Sequence, residues 1–249
     1  MKRILIVGGA SGIGLAIAVE MARRDDCERV YVADRSPFPE DCLNEKIDAR
    51  LFDLTSPDYS FFDRYTDIDA LMITAGFGRL ALFGDLDEDY IERSFQVNTV
   101  SAIRLIRRFY SRLQAAQPFR CGVMVSIAGY MSSPFLSVYA GTKAALRVFI
   151  ESVNVELQKG GSSNRILNVS PGTIRGTKFD DPLAENQLSL THPLACDIIA
   201  RLEAGDDLFI PDYERVYKHV LQRYHDDFRA EGLHSYDYKV ASGRMKQKN

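Results

Sequence analysis

The sequence predicts an α/β protein, a single doubly wound domain spanning residues 1–249, with a mostly parallel sheet of about seven strands and helices on both faces. Short apolar runs alternate with longer amphipathic stretches along the chain, the rhythm of a parallel sheet whose crossovers are helices. The first run, Ile4-Leu5-Ile6-Val7, is continuously apolar, as befits a strand covered on both faces. No linker, repeat or low-complexity segment divides the 249 residues, a length that one core of this class accommodates.

The expected strands cover residues 3–7, 30–34, 49–53, 70–74, 122–127, 166–169 and 207–210. The expected helices cover 13–23, 88–116, 137–157, 193–202 and 213–228. Between 34 and 47 the chain is short and holds Pro37 and Pro39, which discourage a full crossover helix. The polar stretch 178–195, with Pro182, reads as a substrate loop, and 239–249 as a flexible tail.

Charged residues make up 26% of the chain and the formal net charge is −3, so there is no electrostatic footprint for nucleic acid. The basic cluster in 239–248 reads as a solubilising end. No apolar run is long enough to span a membrane. The opening Met1-Lys2-Arg3 is followed by too brief an apolar run for a signal peptide, so a cytoplasmic protein is expected. Cysteines 27, 42, 121 and 196 and histidines 192, 219, 225 and 234 are scattered, without the short recurring spacings of a metal site. No metal is expected.

The first strand meets the first helix through Gly8-Gly9-Ala10-Ser11-Gly12-Ile13-Gly14. Glycines permit a tight turn and let phosphates approach backbone N–H groups at a helix N-terminus, where the dipole favours anions. Gly8, Ser11, Gly12, Ile13 and Gly14 are therefore expected to hold a dinucleotide. Asp34 closes the second strand, where a carboxylate can accept from both ribose hydroxyls and repel a 2′-phosphate. That favours NAD(H). Arg35 follows and could contact a 2′-phosphate, so NADP(H) stays open. Asp53 and Leu54, at the expected end of the third strand, are placed at the adenine.

Tyr139 and Lys143 stand four residues apart, on one face of a helix. A phenol titrates near ~10 in water, and a neighbouring ammonium is expected to lower that value and make Tyr139 a usable proton donor and acceptor. Ser126 closes the fifth strand ahead of this helix and can hydrogen-bond a carbonyl oxygen. Asn98 lies mid-way along the expected helix 88–116, where its propensity is poor. It is either a water-holding group near Lys143 or a buried amide satisfied by backbone. Ala75 and Gly76 follow the fourth strand, and Pro171, Gly172 and Ile174 follow the sixth, beside the expected cofactor cleft.

In this order the motifs resemble the short-chain dehydrogenase/reductase family over about residues 1–177, and hence a Rossmann-type fold. The match lies in Gly8/Gly12/Gly14, Ala75-Gly76, Asn98, Ser126, Tyr139/Lys143 and Pro171-Gly172. The resemblance implies a catalytic tetrad of Ser126, Tyr139, Lys143 and Asn98, direct hydride transfer at nicotinamide C4, and a homodimer or homotetramer. Departures accompany it. Val7 stands where the family has a Thr whose hydroxyl ties the glycine turn down, and Thr74 where Asn is common. Gly176 takes the usual position of a threonine, with Thr177 one residue later. The C-terminal segment diverges: Tyr213, Val216, Tyr217, Val220, Leu221, Tyr224 and Phe228 form one apolar helical face, expected to cover the core or another subunit.

The expected activity is reduction of a carbonyl, or oxidation of a secondary alcohol, on a small molecule. Phe77, Tyr130, Pro134, Phe135 and Phe179 are expected near the cleft mouth, and Arg175 could meet a substrate carboxylate, a cofactor phosphate or solvent. Two rival readings are a non-catalytic sensor of NAD(P) and a methyltransferase-like nucleotide binder. Neither needs the Tyr–Lys pair.

Overall fold

The computed structural model describes residues 1–177 and 186–245. Seven strands form one sheet: β1 (Arg3–Val7), β2 (Arg29–Asp34), β3 (Ile47–Leu51), β4 (Ala70–Ile73), β5 (Arg120–Met124), β6 (Ile166–Val169) and β7 (Leu208–Phe209). Their order is β3-β2-β1-β4-β5-β6-β7, and every pairing is parallel. The order reverses between β1 and β4, so the crossovers from β1 and from β4 leave in opposite directions. A crevice opens there at the C-terminal strand ends, the place where such sheets bind ligands.

Strand alternation builds two cores. Leu5, Val7, Leu71 and Ile73 face one side, with Phe62, Leu105, Ile106, Leu146 and Ile150. Ile4, Ile6, Ala70 and Met72 face the other, with Ile17, Met21, Ile198 and Leu202. The first layer is covered by α3 (Ser101–Arg108) and α5 (Ser137–Lys159), the second by α1 (Gly12–Arg23) and α6 (Leu188–Ala204). The crossover from β2 to β3 holds only a 3₁₀ turn at Glu40–Cys42, consistent with its prolines.

Several boundaries differ from expectation. β3 begins at Ile47, buried and paired with Val30, and ends at Leu51, so Asp53 and Leu54 lie in the following turn rather than closing the strand. β5 ends at Met124, and Ser126 instead caps a 3₁₀ turn, Ile127–Gly129, its hydroxyl accepting from Ala128 N at 3.2 Å. The expected helix 88–116 is four pieces: α2 (Glu88–Phe95), a π-helical turn (Gln96–Val100), α3, and α4 (Tyr110–Gln114). Ser94 and Ser101 flank the π turn and donate back to Tyr90 O and Val97 O, each at 2.6 Å. Such back-bonding competes with the regular ladder.

α6 starts at Leu188 and carries Pro193 inside it, so the expected loop 178–195 gives way to helix over its last residues. Phe179 lies outside the described residues. The expected single helix 213–228 is a π turn (Tyr213–Tyr217) running into α7 (Lys218–Asp226). Asp227 then caps a new helix, α8 (Phe228–Ala241), accepting from Arg229 N at 3.0 Å and Ala230 N at 2.9 Å. An aspartate oxygen at that position satisfies donors left free by the first turn. The expected tail from 239 is therefore helix through Ala241, and Lys239 within it is buried. Among the described residues no helix is long and apolar enough to cross a membrane.

Candidate active site

The glycine turn sits directly against the segment leaving β4. Gly8 has φ +94°, and a Cβ there would collide with the backbone of Ala75. Gly8 N donates to Ala33 O at 2.8 Å, tying the turn to β2. The hydroxyl that Val7 lacks is supplied from the neighbouring strand end: Thr74 Oγ1 donates to Gly8 O at 2.8 Å and reaches Val7 O at 3.2 Å. The register Val7↔Ile73 brings the two together. The two departures at positions 7 and 74 thus compensate each other.

Asp34 joins the end of β2 to the same turn. Its Oδ2 accepts from Ala10 N at 3.0 Å and its Oδ1 from Ser36 N at 2.9 Å, which fixes the carboxylate at the crevice. Asp53 Oδ1 accepts from Thr55 N at 2.8 Å and Thr55 Oγ1 at 2.9 Å. Those bonds hold the Asp53 carboxyl below the usual carboxylate range, the backbone bond contributing most. At the N-terminus of α1, Gly12 N donates to Asn186 Oδ1 at 2.9 Å. An oxygen acceptor from the chain itself stands where an anionic oxygen would be held.

Ser126, Tyr139 and Lys143 come together on the opposite wall, 8%, 8% and 2% exposed. Gly129 permits this: a Cβ there would meet the Lys143 carbonyl carbon at 2.8 Å, so only glycine lets the turn after Ser126 press onto α5. The Ser126 side chain is near enough to the Tyr139 hydroxyl to favour its ionised form slightly. Lys143 Nζ lies 5.7 Å from the Tyr139 ring centroid and donates to Met124 O at 2.8 Å.

The expected depression of the Tyr139 pKa does not occur. Burial pushes this phenol up to about 12, against a smaller opposing effect of the nearby Ser126 side chain, because ionising it would bury an anion. Burial likewise pulls Lys143 down to about 7. An ammonium that readily discharges, seated over the ring face, gives the hydroxyl little help.

Asn98 is not at the cavity wall. It is buried in the π turn, its Oδ1 accepting from Phe77 N at 2.9 Å. Its Nδ2 donates to Phe77 O at 2.9 Å and Thr142 Oγ1 at 3.2 Å. Both amide hydrogens are used, so the side chain is a clamp between the segment after β4 and α5. The gap beside it is nevertheless specific. A Cβ on Gly76 would stand 3.2 Å from Asn98 Oδ1 and 3.3 Å from Lys143 Nζ.

One cavity of about 910 Å³ runs from Asp34, Arg35, Asp53 and Leu54, past Gly8, Ser11, Gly12, Ile13 and Gly14, to Ala75, Gly76, Ser126, Tyr139 and Lys143. Pro171, Gly172 and Ile174 complete its floor. Of the residues expected at its mouth, Phe77 lines it, whereas Tyr130 packs under Arg147 and bonds Asn168 Nδ2 at 2.9 Å. Phe135, at φ +66°, stacks on Tyr236 of α8, and Arg175 is not in the lining.

The C-terminal segment adds a further part of the lining, while Tyr213 and Phe228 of its apolar face are exposed. Val216, Tyr217 and Val220 of the apolar face, with Arg223, His234, Tyr238, Lys239 and Arg244, form another wall of this cavity rather than a cover for the core. Tyr217 approaches Gly172 so closely that a Cβ there would overlap its hydroxyl. The apolar spacing signalled a covered face, but not what it covers.

Away from the cavity, Glu20 of α1 meets His192 and Cys196 of α6, their ligand atoms all within 4.8 Å of one another. His192 Nε2 and Glu20 Oε2 are 2.8 Å apart. Helix packing thus joins a glutamate to a histidine and a cysteine far from it in sequence.

A family model described as short chain dehydrogenase matches residues 2–188. The chain belongs to that family. It is similar to the uncharacterized oxidoreductase YbbO of Escherichia coli, 28% identical over 196 residues, covering 75% of this chain and 70% of that protein. It is also 28% identical over 242 residues to the sepiapterin reductase of Chlorobaculum tepidum, covering 83% of this chain and 98% of that one. Among solved structures, a short-chain dehydrogenase from Burkholderia cenocepacia in complex with NADP superposes with TM-score 0.75 at 19% identity, over 94% of this chain and 99% of that one. One from Burkholderia phymatum in complex with NAD gives TM-score 0.75 at 16% identity, over 92% of this chain and 95% of that one. At these identities the structures show a shared fold. The chain is a Rossmann-type member of an oxidoreductase family.

The burial of Lys143 yields a signed stability prediction. Its folded pKa of about 7 lies below the ordinary 10.5, so between those values the unfolded chain binds more protons and stability rises with pH. In denaturant unfolding of the protein without nucleotide, wild type gains on Lys143→Met as pH climbs from about 7 towards about 10. A pH-independent difference contradicts the burial.

Proposed function

We propose that this protein reduces a carbonyl group on a small molecule, with Tyr139 as proton donor and NADH as the favoured reductant. The observation that carries the proposal is the convergence of buried Ser126, Tyr139 and Lys143 on the wall of the cavity that the glycine turn also lines. When bound, the nicotinamide supplies the hydride. The residues present fit such a cofactor: a helix N-terminus already holding an oxygen acceptor, a glycine gap beside Lys143, and a buried ammonium with N–H groups beyond its bond to Met124 O.

In this scheme the Ser126 hydroxyl and the Tyr139 phenol donate to the substrate carbonyl oxygen, stabilising the charge that develops there. A phenol held protonated by burial is in the form a general acid needs. Lys143 binds ribose hydroxyls and keeps a positive charge near the reaction when it is protonated. Asn98 positions Phe77 and Thr142 and so acts through the cavity's shape. Alcohol oxidation would use the same groups in reverse, with the raised Tyr139 pKa as its obstacle. The enzyme reading is further supported by relatives named as oxidoreductases.

Asp34 carries the cofactor preference. Its carboxylate is fixed by two backbone donors at the cavity wall, where a ribose diol would be welcome and a 2′-phosphate repelled. Arg35 lines the same wall and is the group through which NADP(H) would gain. The remaining expectations, a cytoplasmic homodimer or homotetramer acting without nucleic acid, belong to the same proposal.

Two measurements test it. Tyr139→Phe is expected to lower kcat/KM for ketone reduction by ~10²–10⁴ while NADH binding, followed by fluorescence, is retained. Near-normal turnover would refute the assignment. Asp34→Ala is expected to move the ratio of kcat/KM for NADPH over NADH upward by about tenfold, and an unchanged ratio would remove Asp34 from the discrimination.

A further inference from the structure

Lys239 is a cation in an unusual place. It is 7% exposed, on a helix at the far end of the chain, yet it lines the same cavity as Tyr139. Its Nζ donates to Ser133 Oγ at 3.0 Å and Pro134 O at 2.8 Å. Both acceptors are neutral, and an ammonium has three hydrogens to place. Among the described residues no carboxylate pairs with it, and burial, with the nearby Arg244, pulls it down to about 8. A buried charge without an anionic partner is costly, which raises the question of what anion it serves.

The other charges on this wall sharpen the point. Arg223 is already matched to Glu231, Nε to Oε2 at 2.7 Å and the second guanidinium nitrogen to Oε1 at 3.2 Å. His234 Nδ1 stands 3.8 Å from the same carboxylate. Arg244 lines the cavity and makes no ion pair or hydrogen bond among the described residues. Lys239 and Arg244 are thus two cations left over, facing one space. Their position is on the substrate side: Lys239 holds Ser133 and Pro134, in the loop between Ser126 and Tyr139, and Ser132, Ser133 and Leu136 share the lining.

We infer that Lys239 and Arg244 form an oxyanion-binding subsite, and that the substrate is a carbonyl compound carrying a carboxylate or phosphate remote from the reacting carbon. The inference rests on the carbonyl-reductase reading above and adds the substrate's class. The ammonium acts as a point charge and the guanidinium fork can bind two oxygens at once. The bound anion orients the far end of the substrate while Ser126 and Tyr139 take the carbonyl. α8 and the residues after it thereby have a role that the matched family segment, ending at 188, does not cover.

The test is equilibrium binding to the full-length protein saturated with NAD⁺, using two matched probe pairs. These are 4-oxopentanoate against its methyl ester, and dihydroxyacetone phosphate against dihydroxyacetone. At least one charged member is expected to bind about tenfold or more tightly than its neutral partner. A margin in the first pair alone assigns a carboxylate, in the second alone a phosphate. Arg244→Gln should erase the margin without loosening α8, because Arg244 holds no other group there. Lys239→Gln should also erase it, and Lys239→Arg should keep it. Equal binding within both pairs, or a margin that survives Arg244→Gln, overturns the subsite. Turnover of the same probes with NADH is read separately. Charge-dependent binding without any turnover leaves the subsite standing and counts against the reductase reading.

Discussion

The site depends on holding one ammonium almost without water. Lys143 reaches across from α5 to the end of β5, where Met124 O accepts a hydrogen bond from its Nζ at 2.8 Å. To place it there, the turn after Ser126 must press onto α5, which Gly129 alone allows, and the segment after β4 must leave a gap, which Gly76 provides. Burial then sets the chemistry of both neighbours, drawing Lys143 towards neutrality and keeping Tyr139 protonated. The same low polarity that makes a bare charge costly strengthens any hydrogen bond made to an arriving ligand. A site built this way is poised to bind before it is poised to react.

The rest of the fold serves that placement. Parallel pairing of β1 with both β2 and β4 brings the glycine turn, Asp34 and Thr74 to one edge. Thr74 does from β4 what a hydroxyl on β1 would do from within the turn. The turn is thereby tied to the neighbouring strand end by a side-chain hydroxyl. Opposite it, the C-terminal helices close the cavity with tyrosines and cations and dock through Phe135–Tyr236 stacking at 4.4 Å. A strained backbone at Phe135 is held by that stack and by Ala81 N donating to Phe135 O at 2.9 Å.

Much of this was legible in the sequence, for identifiable reasons. Buried parallel strands declare themselves by unbroken apolar runs, so β1, β4 and β6 coincide with such runs nearly to the residue. Motifs at or just beyond strand ends inherit their position from the fold, so the glycine turn, Asp34 and Ser126 lie along one cavity, and the helix that follows Ser126 brings Tyr139 and Lys143 to it. What was not legible depends on tertiary context. Asn98 carries the right residue type, but only the π turn shows that Phe77 and Thr142 consume its amide hydrogens. The sign of the Tyr139 shift follows from burial, which a four-residue spacing cannot reveal. The break at Asp227 had a signal, an aspartate before a helical run, but the apolar periodicity on either side masked it. Lys239 looked like part of a solvated end because a basic cluster usually is one.

The most direct test of this account is the titration of Lys143 itself, followed by the ¹³Cε shift in selectively labelled protein and assigned with Lys143→Met. Without nucleotide the resonance should titrate near 7, and saturating NADH should move that midpoint upward as new acceptors reach the ammonium. A midpoint at the ordinary lysine value, indifferent to NADH, would contradict the burial of this group and its place in a dinucleotide site.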